Sequence, residues 1–350
     1  MYYLGAILGL GFLIVVHEAG HFVVARLCGM RVERFSIGFG PGILKWRSKK
    51  GTTFQIAPIP FGGFVEIKGM NIAEDVDPDD KAAYPNRPVW QRILTIFAGP
   101  GTNYLAAVVL AFGLYSCAGM YGNTPRYEVG TVDAAFPAAG KLQPGDQLVA
   151  IDGQQVWANG PDGQRTSIAE IANKAQGREL AVTIDRNGQQ LDVQVGTKYD
   201  DSEDVKRWRL GIVFADKRVP VGVGEAAVAA IKYPYLQTKQ ILGGLYLVIT
   251  GQEKGDVTGP LGIGSVIKKA METGLVEAVL LLMMLNVYLG LFNLFPLPAL
   301  DGGRLAFLGY ELVTRRRANP KIETAVHMVG VLLLIVVMVL VTVKDIRRVF

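Results

Sequence analysis

A run apolar enough to cross a bilayer, Leu8 to Ala25, carries His17, Glu18 and His21 in its second half. Ionisable side chains at membrane depth are costly, and they default to a functional reading. On a helix His17 and His21 stand one turn apart on the same face, so both imidazoles reach one Zn²⁺. Glu18 sits beside them, placed to take a proton from water. This is the mechanics of the HExxH pattern. The bland rival, a helix whose His and Glu only hydrogen-bond neighbouring helices, meets the same cost of ionisable groups in lipid.

The chain of 350 residues is 50% hydrophobic with a mean hydropathy of +0.28, too apolar for an ordinary soluble domain and too polar for spans alone. A mixed membrane protein is expected. Four candidate spans, about 1 to 25, 92 to 117, 276 to 295 and 322 to 343, each approach the roughly 20 residues a bilayer needs. The first lacks a basic n-region and holds ionisable groups, so it is expected to be a resident span rather than a cleaved signal. The connection after it carries Arg26, Arg31, Arg34, Lys45, Arg47, Lys49 and Lys50, and the one after the third span carries Arg315, Arg316, Arg317 and Lys321. Both read as cytoplasmic, with the N-terminus and residues 118 to 275 outside. The tail Lys344, Arg347 and Arg348 runs against that trend. At about 1.5 Å per residue, His17 lies about 24 Å into a core about 30 Å thick, nearer the cytoplasmic face.

A net charge of +5 and a pI near 9.0 match cytoplasmic Lys and Arg of a membrane protein, and no basic groove pattern points to nucleic acid. Cys28 and Cys117 give neither a disulfide framework nor a metal-site spacing.

After the first span, residues 43–47 and 52–56 flank Ser48-Lys49-Lys50-Gly51 and read as a β-hairpin. Pro58, Pro60, Gly62 and Gly63 make the next stretch an edge strand or a loop, either dipping into the membrane or part of a cytoplasmic hairpin. Residues 74 to 86, rich in Asp and Glu, read as a solvated loop. In the second span Asn103 reads as a structural group bonded across to a neighbouring helix. Residues 222 to 252 read as an amphipathic helix bent at Pro234, too interrupted for a span. Residues 259–264 read as a turn-rich joint.

Between Tyr127 and Asp216 the composition turns soluble, with strands near 129–132, 148–153, 180–184 and 191–195 and a short helix at 167–175. The phrase Pro137 to Gly153, with Leu142-Gln143-Pro144-Gly145-Asp146 at its centre, closely resembles the bacterial PDZ signature, and Arg186-Asn187-Gly188-Gln189 fits its late hairpin. Such a domain takes a peptide as an added strand or holds its terminal carboxylate.

The third span holds Asn286 and Asn293 on nearly one face, then Pro296, Pro298, Asp301, Gly302 and Gly303. The prolines end the helix and the glycines allow a tight turn beside Asp301. The first and third segments run the same way, so His17, His21 and Asp301 meet at similar depth. Two His and one carboxylate leave a fourth zinc position open, as a catalytic site requires. The bland alternative is that Asp301 caps a following helix.

The motif His17 to His21 in a first span, Asn293 to Gly303 in a third, and a PDZ-like segment between second and third resemble the site-2 proteases, specifically the bacterial regulator-of-sigma-factor intramembrane metalloproteases. The resemblance extends to Ile37-Gly38-Phe39-Gly40-Pro41 and Gly259-Pro260, and so covers nearly the whole chain. It implies a polytopic α-helical membrane protein of about four transmembrane helices, with a membrane-associated β-hairpin and an inserted extracytoplasmic PDZ (α+β) domain. The implied layout is a first membrane core over 1–126 with its β element at 32–70, the PDZ domain over 127–216, a linker over 217–275 and a second membrane core over 276–350. The implied activity is zinc-dependent cleavage of transmembrane segments, such as those of anti-sigma factors or signal-peptide remnants, after an upstream site-1 protease has trimmed the substrate. The resemblance places the chain in the bacterial cytoplasmic membrane, with Zn²⁺ on His17, His21 and Asp301, Glu18 catalytic and Asn293 handling substrate. Its β element would present substrate as a strand. The single PDZ segment departs from well-known relatives, which have two.

Rival readings are a membrane-anchored PDZ receptor or chaperone without protease activity, which leaves His17, Glu18, His21 and Asp301 without a role, and a transporter, which predicts internal repeats that the chain lacks.

Overall fold

The computed structural model describes residues 2–71, 74–121, 125–158, 166–201, 206–215, 218–251 and 259–349. Residue 216, the limit expected for the inserted domain, residue 217 of the linker and the side chains of Arg347 and Arg348 lie outside the described residues. The chain divides into two compact units, one of Met1–Cys117 with Gly222–Phe350 and one of Ala118–Val221.

In the first unit α1 (Tyr2–Leu27) contains the histidine pair. It ends where Gly29 takes a φ of +72°, with Met30 N–H donating to Ala25 O (2.8 Å) and Gly29 N–H to Arg26 O (3.0 Å). This glycine stop turns the chain into a sheet and seals Ala25 against Met30 in the buried cluster below it. The sheet comprises β1 (Val32–Phe39), β2 (Leu44–Arg47), β3 (Thr53–Ile56) and β4 (Ile59–Ile67), in the order β2-β3-β1-β4. The hairpin β2/β3 pairs as the sequence predicts, and β1, which falls inside the β element implied at 32–70 but is not read there as a strand of its own, lies parallel to β3 and antiparallel to β4 at the centre. Its burial alternates irregularly because one face packs on α1. The Pro/Gly segment is an edge strand, where the missing N–H of Pro60 costs no second partner.

A 3₁₀ turn at Tyr84–Asn86 precedes α2 (Val89–Ala118), which passes through Pro100 without ending. The inserted unit opens with β5 (Met120–Tyr121), β6 (Tyr127–Val132), β7 (Gln147–Ile151) and β8 (Gln154–Gln155). Then come α3 (Ile168–Ala175), β9 (Leu180–Arg186), β10 (Gln189–Val195), β11 (Lys198–Asp200), β12 (Arg207–Arg209), β13 (Ile212–Phe214) and β14 (Arg218–Val219). Its main sheet runs β10-β9-β7-β6-β13, with β8 on β7. Asn187 and Gly188 take φ of +54° and +83°, the left-handed pair that a two-residue hairpin between β9 and β10 requires. Ser167 caps α3 by accepting the Glu170 N–H. Leu148, Leu180, Val182, Ile184 and Val195 form a closed core. Asp146 is buried beside it, paired with Arg186 by two bonds of 2.7 and 2.8 Å.

The first unit resumes with α4 (Val223–Ile249), α5 (Pro260–Thr273), α6 (Leu275–Leu294), α7 (Asp301–Thr314) and α8 (Pro320–Val349). The expected turn-rich joint at 259–264 is instead the start of α5. Asp345, far along in α8, accepts the Gly259 and Gly262 N–H groups at 3.2 and 2.9 Å, and Pro260 is harmless in a first turn. A cap supplied from so far along the chain leaves no local signal. Among the described residues α1, α2, α6 and α8 are long and apolar enough to cross a membrane, matching the four spans read from the sequence.

Candidate metal centre

The histidines of α1 face α2. His21 Nδ1–H donates to the Thr95 carbonyl at 2.8 Å, which leaves the Nε2 lone pair turned inward. Asn103 Nδ2 lies 3.2 Å from His17 Nδ1 and donates to it. Both histidines are buried. Gly99 makes this approach possible: a Cβ on it would stand 2.3 Å from His21 Nε2 and 2.8 Å from His17 Nε2. Any other residue at that point of α2 would fill the space between the imidazoles.

Asp301 reaches the pair from the break between α6 and α7. After Leu294 the chain turns through Pro296 and Pro298, and Ala299 adopts a φ of +73°. His327 of α8 holds this turn, its Nδ1 accepting the Ala299 N–H at 3.1 Å. Gly302 and Gly303 let α7 fold back on the turn, since a Cβ on either would lie within 2.5 Å of the carbonyl oxygens of Phe295 or Leu297. Asp301 is the first residue of α7 and not its cap: the cap position is Leu300, with no side-chain capping bond, so the alternative of a capping Asp301 does not hold. Its Oδ2 stands 3.0 Å from His17 Nε2 and 3.3 Å from His21 Nε2. Further along α7, Glu311 takes two bonds from the buried Arg92 of α2, at 3.0 and 2.5 Å, and fixes the helix that carries Asp301.

The three ligand atoms lie 3.0, 3.2 and 3.3 Å from one another. Tetrahedral zinc with bonds of about 2.0–2.1 Å spaces its ligand atoms by about 3.3 Å, so the triangle fits. The donor set fits as well: two imidazole nitrogens and a carboxylate oxygen, all on buried or half-buried residues, converge within bonding distance of one point, which suits a cation.

Glu18 lies in the same cavity of ≈ 2320 Å³, as does Asn293. The edge strand β4 passes close by: a Cβ on Gly63 would stand 3.6 Å from the Glu18 Cγ. Asn293, which lines the cavity, donates Nδ2 to Leu289 O at 2.9 Å. His17, His21 and Asp301 are thus brought together, with Glu18 and Asn293 on the same cavity. Sequence reasoning missed the Thr95 carbonyl and His327, and did not see that the close approach at Gly99 is to the histidines; its reading of Asn103 as bonded across to a neighbouring helix holds, the neighbour being His17. A Gly-Pro pair inside an apolar span was the available hint for Gly99.

The chain matches the model of peptidase family M50 over residues 5–337. It is 31% identical over 346 residues to a protein of Mesorhizobium japonicum named as a zinc metalloprotease, covering 92% of each chain. A Fusobacterium nucleatum protein of the same name is 30% identical across 100% of both chains. One from Clostridium acetobutylicum is 32% identical, covering 97% of this chain and 96% of its own.

Proposed function

Because the chain belongs to peptidase family M50, the site-2 proteases, and is a zinc metalloprotease, we propose that it cuts peptide bonds within transmembrane segments of other proteins. The observation that carries this reading is the convergence of His17, His21 and Asp301, 284 residues apart at the extremes, between helices apolar enough to lie in lipid. The family also displaces the two rivals, a receptor or chaperone without protease activity and a transporter.

His17, His21 and Asp301 are the residues that would hold the metal. Zinc held there supplies a Lewis acid for the scissile carbonyl and acidifies water. Glu18 takes the proton of the attacking water and returns it to the leaving amine. Asn293, which lines the cavity, steadies the substrate backbone. The free edge of β4 accepts an extended substrate as one more strand, which carries the scissile bond past Glu18.

Single-span membrane proteins of the anti-sigma-factor or signal-peptide type suit this arrangement, delivered after a first cut by a site-1 protease. We place the chain in the bacterial cytoplasmic membrane with the inserted unit outside. That unit we read as a PDZ domain over 127–216, supported by its strand order and its Gly145-Asp146 turn. An impermeant thiol reagent added outside intact cells is expected to label a cysteine placed at residue 200 and not one at residue 49; the reverse pattern inverts the orientation.

The activity test uses purified enzyme in liposomes with a single-span substrate tagged at both ends. Cleavage inside the span that stops on zinc chelation and returns with added zinc supports the proposal. Zinc-loaded enzyme that cuts only soluble peptides contradicts it.

A further inference from the structure

We propose that His327 is a positioning residue for the metal centre: from α8 its imidazole braces the chain on both sides of Asp301. The inference rests on Asp301 being a ligand. Of the four candidate spans α8 is the least buried, and the neighbours of His327, Met328 and Val329, are exposed. A histidine in such a run carries a desolvation cost that a leucine would not, and an ionisable group at membrane depth defaults to a functional reading. His327 is nevertheless outside the triangle of ligand atoms.

Its contacts account for the position. On one side the Ala299 N–H meets Nδ1 at 3.1 Å; a backbone N–H only donates, so the ring nitrogen accepts. On the other side stands Phe307 of α7, with the ring centroids 5.8 Å apart. Ala299 precedes Asp301 and Phe307 follows it, so the imidazole touches the turn that delivers the carboxylate and the helix that carries it away. Gly330, on the same face of α8, closes on the turn as well: a Cβ there would stand 2.2 Å from the Pro298 Cβ. Among the described residues the Ala299 bond is the one hydrogen bond that ties this turn to another element; the others run within it, such as Leu300 N–H to Leu297 O at 3.3 Å.

The turn needs a brace. Ala299 holds a φ of +73°, a left-handed conformation in which the Cβ crowds the backbone and which an alanine keeps only where its surroundings enforce it. Released, the residue relaxes toward negative φ, and a backbone rotation just ahead of Asp301 swings the carboxylate away. The site has little tolerance for that, since a ligand has to be held within about 0.5 Å of its productive place. His327 therefore acts through Ala299 on Asp301.

The test measures, on the full-length protein, zinc affinity and the visible spectrum of the cobalt-loaded form, which reports ligand geometry. His327→Leu keeps bulk against Phe307 and removes the acceptor, whereas His327→Asn places an oxygen near the position of Nδ1. His327→Leu is expected to weaken zinc about 10-fold or more and to shift the cobalt bands toward those of Asp301→Ala, while His327→Asn retains most of the affinity. Adding Ala299→Gly to His327→Leu is expected to recover part of the loss, because glycine reaches a φ of +73° unaided. Equal affinity and equal cobalt spectra in the His, Asn and Leu forms overturn the proposal, as does an Asn defect as deep as that of Leu, or a Leu defect that Ala299→Gly leaves untouched. If His327→Leu fails to fold, Gly330→Ala decides: a methyl against Pro298 moves the imidazole off Ala299 and is expected to give the same cobalt shift, and an unchanged spectrum overturns the proposal. The underlying reading fails differently, with zinc affinity indifferent to Asp301→Ala itself.

Discussion

The two units bury opposite things. In the inserted unit Leu148, Leu180 and Ile184 are fully enclosed and the one buried carboxylate among the described residues, Asp146, is paired with Arg186. In the helical unit the apolar residues of α8 face outward, with Leu332, Leu333 and Leu340 more than 60% exposed, while His17, His21, Asn103 and Asn286 are inside. The residue types are the same and the solvent differs. Against water, burying apolar area drives folding; against lipid that drive vanishes, and helices associate through close packing and hydrogen bonds. The interior of the helical unit is therefore free to hold polar chemistry that a water-soluble core of this size would exclude.

The sharpest break in that comparison comes from Glu18→Gln. It is expected to lower cleavage about 100- to 10,000-fold while zinc content and the melting of both units stay unchanged. Cleavage near the original rate, with zinc in place, removes Glu18 from the mechanism. The mirror experiment is Asp146→Ala, which leaves the Arg186 guanidinium without its partner. Because Arg186 is about a quarter exposed, the loss is about 1–3 kcal/mol rather than that of a fully buried pair. Hydrogen exchange should quicken across β7, β9 and β10 with zinc affinity untouched, and an equal response in α1 and α2 would show that the units do not melt independently.

Gly99→Ala should do the reverse. A methyl forced between the two imidazoles costs about 1–3 kcal/mol, and if that comes out of metal binding, zinc affinity falls about 5- to 100-fold. Unchanged affinity would mean that α2 shifts to make room. The smallest effect is on pH. Burial pushes the Asp146 carboxyl up, but the Arg186 pair and the Gln143 amide outweigh it and hold it below the usual carboxylate range. A lowered folded value means that stability is present above the unfolded value of about 3.9 and is lost as pH falls through the folded one. Acid melting of the inserted unit is expected to be less steep in Asp146→Asn, and identical curves would discount the pair.

The two units were also unequally legible. Strand alternation and the Asn187-Gly188 turn mark β6, β7, β9 and β10 in the sequence itself, because a core folded against water leaves a period-2 trace. The four spans and the candidate ligands His17, His21 and Asp301 are equally plain, since charges in apolar runs stand out. What stayed hidden depends on contacts between distant segments: β1 between its neighbours, α5 capped from α8 by Asp345, the turn before Asp301 held by His327, and the gap that Gly99 leaves. None of these has a period or a spacing to read.

The claim at the centre is that Asp301, from the second half of the chain, completes a metal site begun by His17 and His21. Zinc-edge X-ray absorption on Asp301→Cys tests it directly. The account predicts that one oxygen neighbour is replaced by sulfur at about 2.3 Å while two imidazole shells remain. A first shell unchanged from the unsubstituted protein, with zinc still bound, would show that Asp301 is not a ligand.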